Sequence, residues 1–340
     1  MSAWHTTGLR AATAAGLALS VAVGVAGTAT ADVKDPSYDW GTVVETPDGV
    51  QANAWVAGVT GVGRIVNARL FEAASPGTPK APREMEGGNE LVNLTAPTPV
   101  GKVGLGKVSA LYAKALTNKL PVSKSSKTTM PVPGAAYANA GGGSVDIGLP
   151  YVESNVFAGT ALTGFGVHVD AIDVHARSLP GRPVEFQGGA ASGKITLFGT
   201  TVVEIPPIWA VNLGATIPAT GDDAAPIIAQ TNEQITTDNK GVPTKGKNGS
   251  YQYDPRATSG YVNAIHASVL GPNVADVTIG HAAVIRDPAK TDMLKDKLPK
   301  KLPSLLDMVT TDGTKLPTGE DLAVKPQMPS VEAPAVAPAQ

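Results

Sequence analysis

The amino-acid sequence predicts a mainly β protein, an antiparallel sandwich or barrel-like sheet with long loops and a disordered, Pro-rich C-terminal tail. Its 340 residues include 38 Gly and 28 Pro, which interrupt the chain too often for long helices. Hydrophobic residues make up 42% of the chain and aromatic residues only 5%, so we expect a core of small side chains. Several segments alternate between apolar and polar residues, as half-buried strands do.

The first 31 residues have the pattern of a secretory signal peptide. Arg10 precedes an uncharged apolar run over residues 11–27, which is shorter than the roughly 20 residues that a membrane-spanning helix needs. Ala29-Thr30-Ala31 then fits the small-x-small cleavage pattern. We therefore expect a secreted, extracellular chain that starts at Asp32, is either released or associated with the cell wall, and has no transmembrane segment after signal removal.

The composition of the exported chain excludes several kinds of chemistry. Removing Arg10 leaves 26 basic and 29 acidic residues, and a net charge near −3 gives no reason to expect nucleic-acid binding. The chain contains no cysteine, which excludes disulfides, thiolate zinc sites and cysteine nucleophiles.

Residues 32–133 are predicted to form the N-terminal part of the exported β-domain, and whether this part is a separate domain is left open. Residues 49–74 indicate two strands around the break Gly61-Val62-Gly63. Residues 74–89 and 121–134 are predicted to be loops because they are polar and rich in proline. The intervening segment 101–120 fits either a strand or a short helix.

Residues 134–289 carry the clearest β signal and are predicted to form a C-terminal β-domain. The sequence GFGVHVDAIDVHARS alternates, GKITLFGTTVVEIP forms two β-branched runs, and residues 259–285 predict a hairpin with a Gly-Pro-Asn turn. Residues 237–260 are polar and rich in glycine, and we expect a long exposed loop there.

Residues 290–340 are predicted to contain short helical pieces followed by the disordered tail. Pro299 and Pro303 limit any helix to one or two turns. From Asp312 to the end, prolines and small residues offer too little apolar area for the chain to order itself.

The segment HVDAIDVH has the composition of a metal site. Regular alternation along a strand would place His168 and Asp170 on one face, with Asp173 and His175 on the other. No single ion would then contact all four, and each pair would need ligands from another strand. The alternative is a strand near a sheet edge with polar residues on both faces.

Two other motifs lack parts that their chemistry requires. Residues 188–196 resemble a phosphate-binding loop, but Ile195 stands where Ser or Thr should hold Mg²⁺, and a strand follows instead of a helix. No G-x-S-x-G segment marks a serine hydrolase. Glu204 is the acid with the most apolar flanks, but a strand-end carboxylate facing solvent explains it equally well. The sequence therefore offers no catalytic residue, metal ligand or cofactor.

His266 and His281 lie on the two strands of the predicted hairpin. The apolar pattern favours a register in which His281 is opposite Asn263 on the core side and His266 is opposite Thr278 on the other face. We expect these two side chains to point away from each other, so that a shared site is impossible. A one-residue slip of the register would bring them to one face.

The segments FGTTVVEIPP, TNEQITT, GYVNAIHASVLG and ADVTIGHAAV resemble the choice-of-anchor P family of bacterial surface proteins. The similarity covers residues 198–284 well and the rest of the exported domain loosely. It implies an extracytoplasmic domain of Gram-positive bacteria, and it brings no established activity or catalytic residues. The sequence departs from the family by ending without a recognisable anchor.

Three functions are consistent with these observations. The first is a non-catalytic secreted or cell-surface β-protein with a structural or adhesive role, whose partner is a cell-wall polymer or another surface protein. The second is a secreted hydrolase or metal-dependent enzyme built around His168, Asp170, His266 and His281. The third is a module that binds cell-wall polysaccharide through Tyr251 and Tyr253 in the long loop.

Overall fold

The computed structural model describes fifteen strands, one short α-helix and one 3₁₀ helix. The described residues are 45–61, 66–86, 92–98, 101–109, 111–122, 128–149, 165–189, 192–197, 200–205, 213–217, 227–245, 253–269 and 275–305. The predicted signal peptide and the Pro-rich tail lie outside these ranges.

The first sheet has six strands, all joined by antiparallel pairing. They are β1 (Val50–Gly61), β2 (Val66–Ser75), β12 (Leu213–Ile217), β13 (Ile227–Thr237), β14 (Ser259–Val269) and β15 (Ala275–Arg286). Their order across the sheet is β12-β13-β14-β15-β1-β2.

The second sheet has nine strands. They are β3 (Glu84–Glu86), β4 (Val92–Thr98), β5 (Gly101–Ser109), β6 (Tyr112–Pro121), β7 (Thr129–Leu149), β8 (Phe165–Ser178), β9 (Glu185–Gly189), β10 (Ser192–Leu197) and β11 (Thr200–Ile205). The main path is β11-β10-β8-β7-β5-β4; in addition, β6 pairs with β3 and β7, and β9 pairs with β8.

The two sheets pack face to face as a sandwich, with β15 against β7 and β8 and with β1 against β6 and β7. This confirms the mainly β, antiparallel class. The core between the sheets consists largely of Ala, Val and Ile, as the composition predicts. Strands from residues 32–133 and 134–289 occur in both sheets, so the two parts share one core.

A row of residues crosses the six-stranded sheet where the strand conformation is interrupted. We call it the left-handed row; its members are Phe71, Val56, Gly280, Ala264 and Asn232, on β2, β1, β15, β14 and β13. The φ angles of Phe71, Gly280 and Asn232 are 53°, 61° and 47°, which lie outside the β region. Pairing skips every member of the row, and the register is the same on both sides of it. No residue is therefore inserted, which distinguishes the row from a bulge.

The left-handed row reverses which residues of each strand face the core. On one side of it the core residues have even numbers in β1, β14 and β15, and on the other side they have odd numbers. They are Val50, Ala52, Ala54, Ala57 and Val59 on β1, Val262, Ile265 and Ala267 on β14, and Val277, Ile279, Ala282 and Val284 on β15. Strict alternation along a strand fails at this row.

The nine-stranded sheet has a matching interruption where Ala171 of β8 faces Gly143 of β7. Ala171 has a φ of 48°, and the pairing of the two strands skips this position. The core face of β8 changes from Val167 and Val169 to Ile172, Val174 and Ala176. The two interruptions lie against each other, because a Cβ atom on Gly280 would come within 2.6 Å of Ile172 Cγ2.

The C-terminal end of the described chain packs against the outer surface of the sandwich. Asp287 caps α1 (Pro288–Thr291), and a 3₁₀ helix (Asp292–Lys297) follows, which confirms the short helical pieces. Leu298, Leu302 and Leu305 then lie on a cluster that includes Tyr137 and Leu179 on the outer face of the nine-stranded sheet. We call residues 298–305 the C-terminal strap.

Several predicted elements are confirmed, and three need correction. The paired strands around residues 61–63, the strand β8, the β10–β11 pair and the two strands of the hairpin are present as predicted, and the predicted Gly-Pro-Asn turn lies outside the described residues. The open choice over 101–120 resolves to strand. The loop prediction for 74–89 missed β3, and the one for 121–134 missed the start of β7 at Thr129. In both cases a strand partner, β6, outweighs local Pro content. The strand β8 is not at a sheet edge.

Candidate functional site

His266 and His281 belong to one buried hydrogen-bond network, contrary to the sequence prediction. The predicted register is confirmed: Asn263 pairs with His281, and His266 pairs with Thr278. The predicted faces are wrong, because the left-handed row lies between Asn263 and His266 and puts both on the outer face. His281 is on this face too, since the core positions of β15 beyond Gly280 are Ala282 and Val284.

Glu233 of β13 connects the members of this network. Its Oε2 accepts from Asn263 Nδ2 at 2.7 Å, and its Oε1 lies 3.1 Å from His266 Nδ1. Asn263 Oδ1 in turn lies 2.6 Å from His281 Nδ1. All four side chains are buried, with exposed fractions of 1% for Glu233 and Asn263, 4% for His266 and 3% for His281.

The hydrogen bonds determine the tautomer of His281. An amide oxygen only accepts, so the Nδ1 atom of His281 donates to Asn263. Its Nε2 atom is buried and has no hydrogen-bond partner among the described residues. Burial lowers the pKa of His281 well below its ordinary value, and the nearby charges of Arg69 and His266 lower it further. His281 is therefore a neutral imidazole at physiological pH.

Trp55 is stacked between His281 and Arg69. The Trp55 and His281 rings are parallel within 9° at a centroid distance of 3.5 Å, and the Arg69 guanidinium lies 4.5 Å from the Trp55 ring centroid. Trp55 Nε1 donates to Thr278 Oγ1 at 3.2 Å, and Arg69 Nη1 contacts Glu72 Oε1 at 2.9 Å. The indole is fixed on both faces and at its polar edge, as a structural aromatic residue is.

The segment HVDAIDVH also departs from regular alternation. The prediction that His168 and Asp170 face away from Asp173 and His175 is wrong, because the change of face at Ala171 turns all four outward. The first pair is partly exposed, with His168 Nε2 3.4 Å from Asp170 Oδ2. The second pair is buried, with His175 Nε2 3.0 Å from Asp173 Oδ1.

Asp173 is the acceptor at the centre of a second network. Its Oδ1 atom accepts from Tyr112 Oη at 2.6 Å and from Asn139 Nδ2 at 3.0 Å. Tyr137 Oη lies 2.8 Å from the Nδ1 atom of His175. Burial raises the pKa of Tyr112 and of Tyr137 well above the ordinary value, and the charge of Asp173 raises both further. Both tyrosines therefore remain neutral.

The four residues on which the alternative of a metal-dependent enzyme depends do not come together. His168 and Asp170 are on the outer face of the nine-stranded sheet, and His266 and His281 are on the outer face of the six-stranded sheet. Stacked sheets are about 10 Å apart, whereas zinc ligands lie about 2 Å from the ion. Within the described ranges, no three His, Asp or Glu side chains are close enough to hold a metal ion.

The other segments and residues considered in the sequence analysis are not part of either buried network. The glycine segment after residue 188 joins the end of β9 to β10, so a strand follows it. Glu204 is exposed on β11, at the end of the strand path. Tyr253 is 50% exposed in the predicted loop, and Tyr251 lies outside the described residues. Across the described residues, no helix is long and apolar enough to cross a membrane.

Residues of the long loop also line a polar cleft. Its lining includes Asn239, Lys240, Gln51, Asp287 and Lys290, together with the apolar side chains Val50 and Ile285. Lys290 Nζ donates to Thr46 O at 3.1 Å, which ties one wall of the cleft to the start of β1. Sequence patterns did not predict this cleft because its residues are far apart along the chain.

The sequence analysis also missed Arg286, which is fully buried at the end of β15. Its guanidinium donates to Ser178 Oγ at 3.0 Å, Thr291 Oγ1 at 2.7 Å and the carbonyl of Arg182 at 3.1 Å, and it contacts the Asp292 carboxylate. Burial acts to raise the pKa of Asp292, but the Gly181 N–H and Arg286 outweigh it and lower the pKa. The Asp292 charge therefore compensates the buried guanidinium, and the arginine is structural.

Comparison of the chain with protein-family models, with curated proteins and with solved structures found no match.

Proposed function

We propose that this chain is a non-catalytic β-sandwich protein of the cell surface, with a structural or adhesive role. The observation that carries the proposal is that the acid and base side chains of the two buried hydrogen-bond networks are out of reach of a substrate. Asp173, His175, Glu233, His266 and His281 are all at most 4% exposed. General acids and bases must reach a substrate, and these residues instead hold neighbouring strands together.

The N-terminal sequence pattern supports the location in this proposal. A signal-like segment precedes a chain without cysteine, and an exported protein without disulfides depends on packing and backbone pairing for stability. The large sandwich core supplies that packing. Resemblance to the choice-of-anchor P family points to the same location.

Fractionation of cells that produce the full chain tests the location. We expect the chain in the medium or the wall fraction, starting at Asp32 by N-terminal sequencing. A matched chain lacking residues 1–31 should remain in the cytoplasm. Retention of the full chain in the cytoplasm would contradict the proposal.

Metal analysis tests the alternative of a metal-dependent enzyme. The purified protein should contain no stoichiometric transition metal, and His168→Gln should leave its metal content unchanged. A stoichiometric ion that is lost in this variant would replace the structural proposal with the enzymatic one.

The polar cleft supports a second candidate, a module that binds cell-wall polysaccharide. Asn239, Lys240, Gln51 and Asp287 offer the amide, cationic and carboxylate groups that bind sugar hydroxyls, and Tyr253 offers an exposed ring in the same loop. Co-sedimentation with purified cell wall should then fall several-fold in Asn239→Ala and in Tyr253→Ala. Lys297→Ala, on the 3₁₀ helix, is the control and should bind as the unchanged chain does.

A further inference from the structure

Five titratable side chains form a straight row across the outer face of the nine-stranded sheet. Cross-strand pairing aligns Lys107 of β5 with Asp146 of β7, Asp146 with His168 of β8, His168 with Lys194 of β10, and Lys194 with Glu204 of β11. We call this the charged row. Neighbouring strands are about 4.8 Å apart, so the row spans about 19 Å.

The charged row faces solvent. Its sequence neighbours Val108, Val145, Val167, Val169 and Ile195 point into the core, which directs the row outward. Lys194 and Glu204 are exposed, whereas Lys107, Asp146 and His168 are partly exposed, with 34% for the His168 side chain. The C-terminal strap contacts the opposite end of β8, where the carbonyl of Pro303 accepts from Arg177. Nine residues separate Arg177 from His168, so the strap lies roughly 30 Å away and leaves the row accessible.

The charges along the row are antisymmetric about His168. On the β5 side of the central His168 the charges are positive and negative (Lys107, Asp146), and on the β11 side they are positive and negative (Lys194, Glu204). Reading the row from the other end reverses every sign. A two-fold axis along β8 that brings two such faces together therefore puts Lys107 opposite Glu204 and Asp146 opposite Lys194, twice each. Such a self-complementary surface is what an isologous contact requires.

We propose that this face binds a second copy of the chain through its charged row, in a two-fold arrangement centred on His168. The contact deepens the adhesive role proposed above and rests on it for its biological meaning, because it names the partner as another copy on the same or an opposed surface. Surface ion pairs contribute little to binding and are screened by salt, so the dimer is weak and sensitive to salt.

For Asp170 we predict a substitution that strengthens the dimer. It lies two residues from His168 on the same face, and its side chain is 45% exposed. The two-fold axis brings the Asp170 carboxylates of both copies near each other, where like charges repel. Asp170→Asn should therefore tighten the dimer, although most surface substitutions at an interface weaken it.

Sedimentation equilibrium of the purified full chain at low salt tests the proposal. We expect a concentration-dependent monomer–dimer equilibrium that 0.5 M NaCl weakens. Lys107→Glu creates two repulsive pairs in its own dimer, and so does Glu204→Lys, so each variant alone should dimerise about tenfold more weakly. Lys297→Glu, on the 3₁₀ helix, has the same change of net charge as Lys107→Glu and should dimerise normally.

Mixing the variants separates the two-fold register from general charge attraction. Lys107→Glu with Glu204→Lys gives four attractive pairs between the two copies, so the mixed dimer should recover the original affinity. Lys107→Glu with Asp146→Lys has the same net charges but leaves the carboxylate introduced by Lys107→Glu opposite Glu204 of the other copy, and it should not recover. Circular dichroism of each variant checks that it is folded.

The proposal would be overturned if Lys107→Glu recovered its dimer affinity equally with Glu204→Lys and with Asp146→Lys, or with neither of them. A protein that stays monomeric at all concentrations would also overturn it. Weaker dimerisation of Asp170→Asn would also overturn the two-fold arrangement. None of these results depends on where the protein is located, so failure of this proposal is distinguishable from failure of the proposed surface role.

Discussion

His175 in the nine-stranded sheet and His281 in the six-stranded sheet are both buried on an outer face, but different forces hold them. Both ring nitrogens of His175 have partners, Tyr137 at Nδ1 and Asp173 at Nε2. Among the described residues, His281 has a hydrogen-bond partner at Nδ1 only, and its ring also stacks on Trp55. Two polar contacts therefore fix His175, whereas one hydrogen bond and aromatic stacking together fix His281.

The same backbone feature, a left-handed residue within a strand, nevertheless produces both buried networks. Each sheet changes its core-facing side at a left-handed residue, Ala171 or Gly280, and polar residues on both sides of that point gather on one outer face. Buried polar groups must then satisfy one another, because water does not reach them. The following changes test the backbone feature and the two networks separately.

Gly280→Val should have the largest effect. A Cβ atom there would lie 2.6 Å from Ile172 Cγ2 and 3.1 Å from Ala264 Cβ, and the φ of 61° is unfavourable for a β-branched residue. Strain and overpacking together should lower the free energy of unfolding by about 3 kcal/mol. Urea denaturation measures this loss. A loss below about 1 kcal/mol would mean that the left-handed row is not in contact with the interruption at Ala171 in the nine-stranded sheet.

Asp173→Ala should cost nearly as much, because it removes the shared acceptor of Tyr112 and Asn139. The Tyr112 hydroxyl would lose its acceptor and Asn139 would keep the carbonyl of Val174, and the free energy of unfolding should fall by about 2–3 kcal/mol. Tyr112→Phe removes one donor and keeps the acceptor, and about 1 kcal/mol is expected. Chemical denaturation of both variants checks the order, and equal losses would contradict the central role of Asp173.

His281 should make stability depend on pH. Its folded-state pKa is lowered from 6.5 by burial, Arg69 and His266, so the unfolded chain binds a proton that the folded chain does not. The stabilisation is complete above pH 6.5 and is lost as pH falls, by at most about 1.4 kcal/mol per pH unit. Thermal melts between pH 7.5 and pH 4.5 should show a shallower decline for His281→Gln. Parallel declines would show that His281 is not the group responsible.

Ala171→Gly should have the smallest effect, and a favourable one. Ala171 has a φ of 48° and is partly exposed, so removing its Cβ relieves backbone strain without opening a core cavity. We expect a gain of up to about 1 kcal/mol, reduced by the greater entropy of glycine in the unfolded chain. A Tm below that of the unchanged protein would contradict strain at this position.

Much of the fold follows from the sequence, and the candidate site does not. The hairpin register was predictable because the apolar residues of both strands alternate between the left-handed row and the turn, as Ile265 and Ala267 do on β14 and Val277 and Ile279 on β15. The face of the sheet on which each histidine lies was not predictable, because the apolar–polar alternation was assumed to continue along the whole strand. A signal was present in β8, where Val167 and Val169 are followed by Ile172, Val174 and Ala176, with a slip of one residue at Ala171. The contacts of Arg286 and of the C-terminal strap depend on distant parts of the chain, which local patterns do not encode.

The central claim is that the left-handed row brings polar residues from both of its sides onto one outer face of the sheet. A double-mutant cycle between Glu233 and His266 tests this claim most directly. Glu233 pairs with Asn263, so regular alternation would place His266 on the opposite face, whereas the left-handed row brings it within 3.1 Å of Glu233. Urea denaturation of the unchanged chain, Glu233→Gln, His266→Gln and the double variant gives the coupling free energy. We predict a coupling above about 1 kcal/mol. A coupling near zero would mean that the two residues face opposite ways, and the left-handed row would not have the role described.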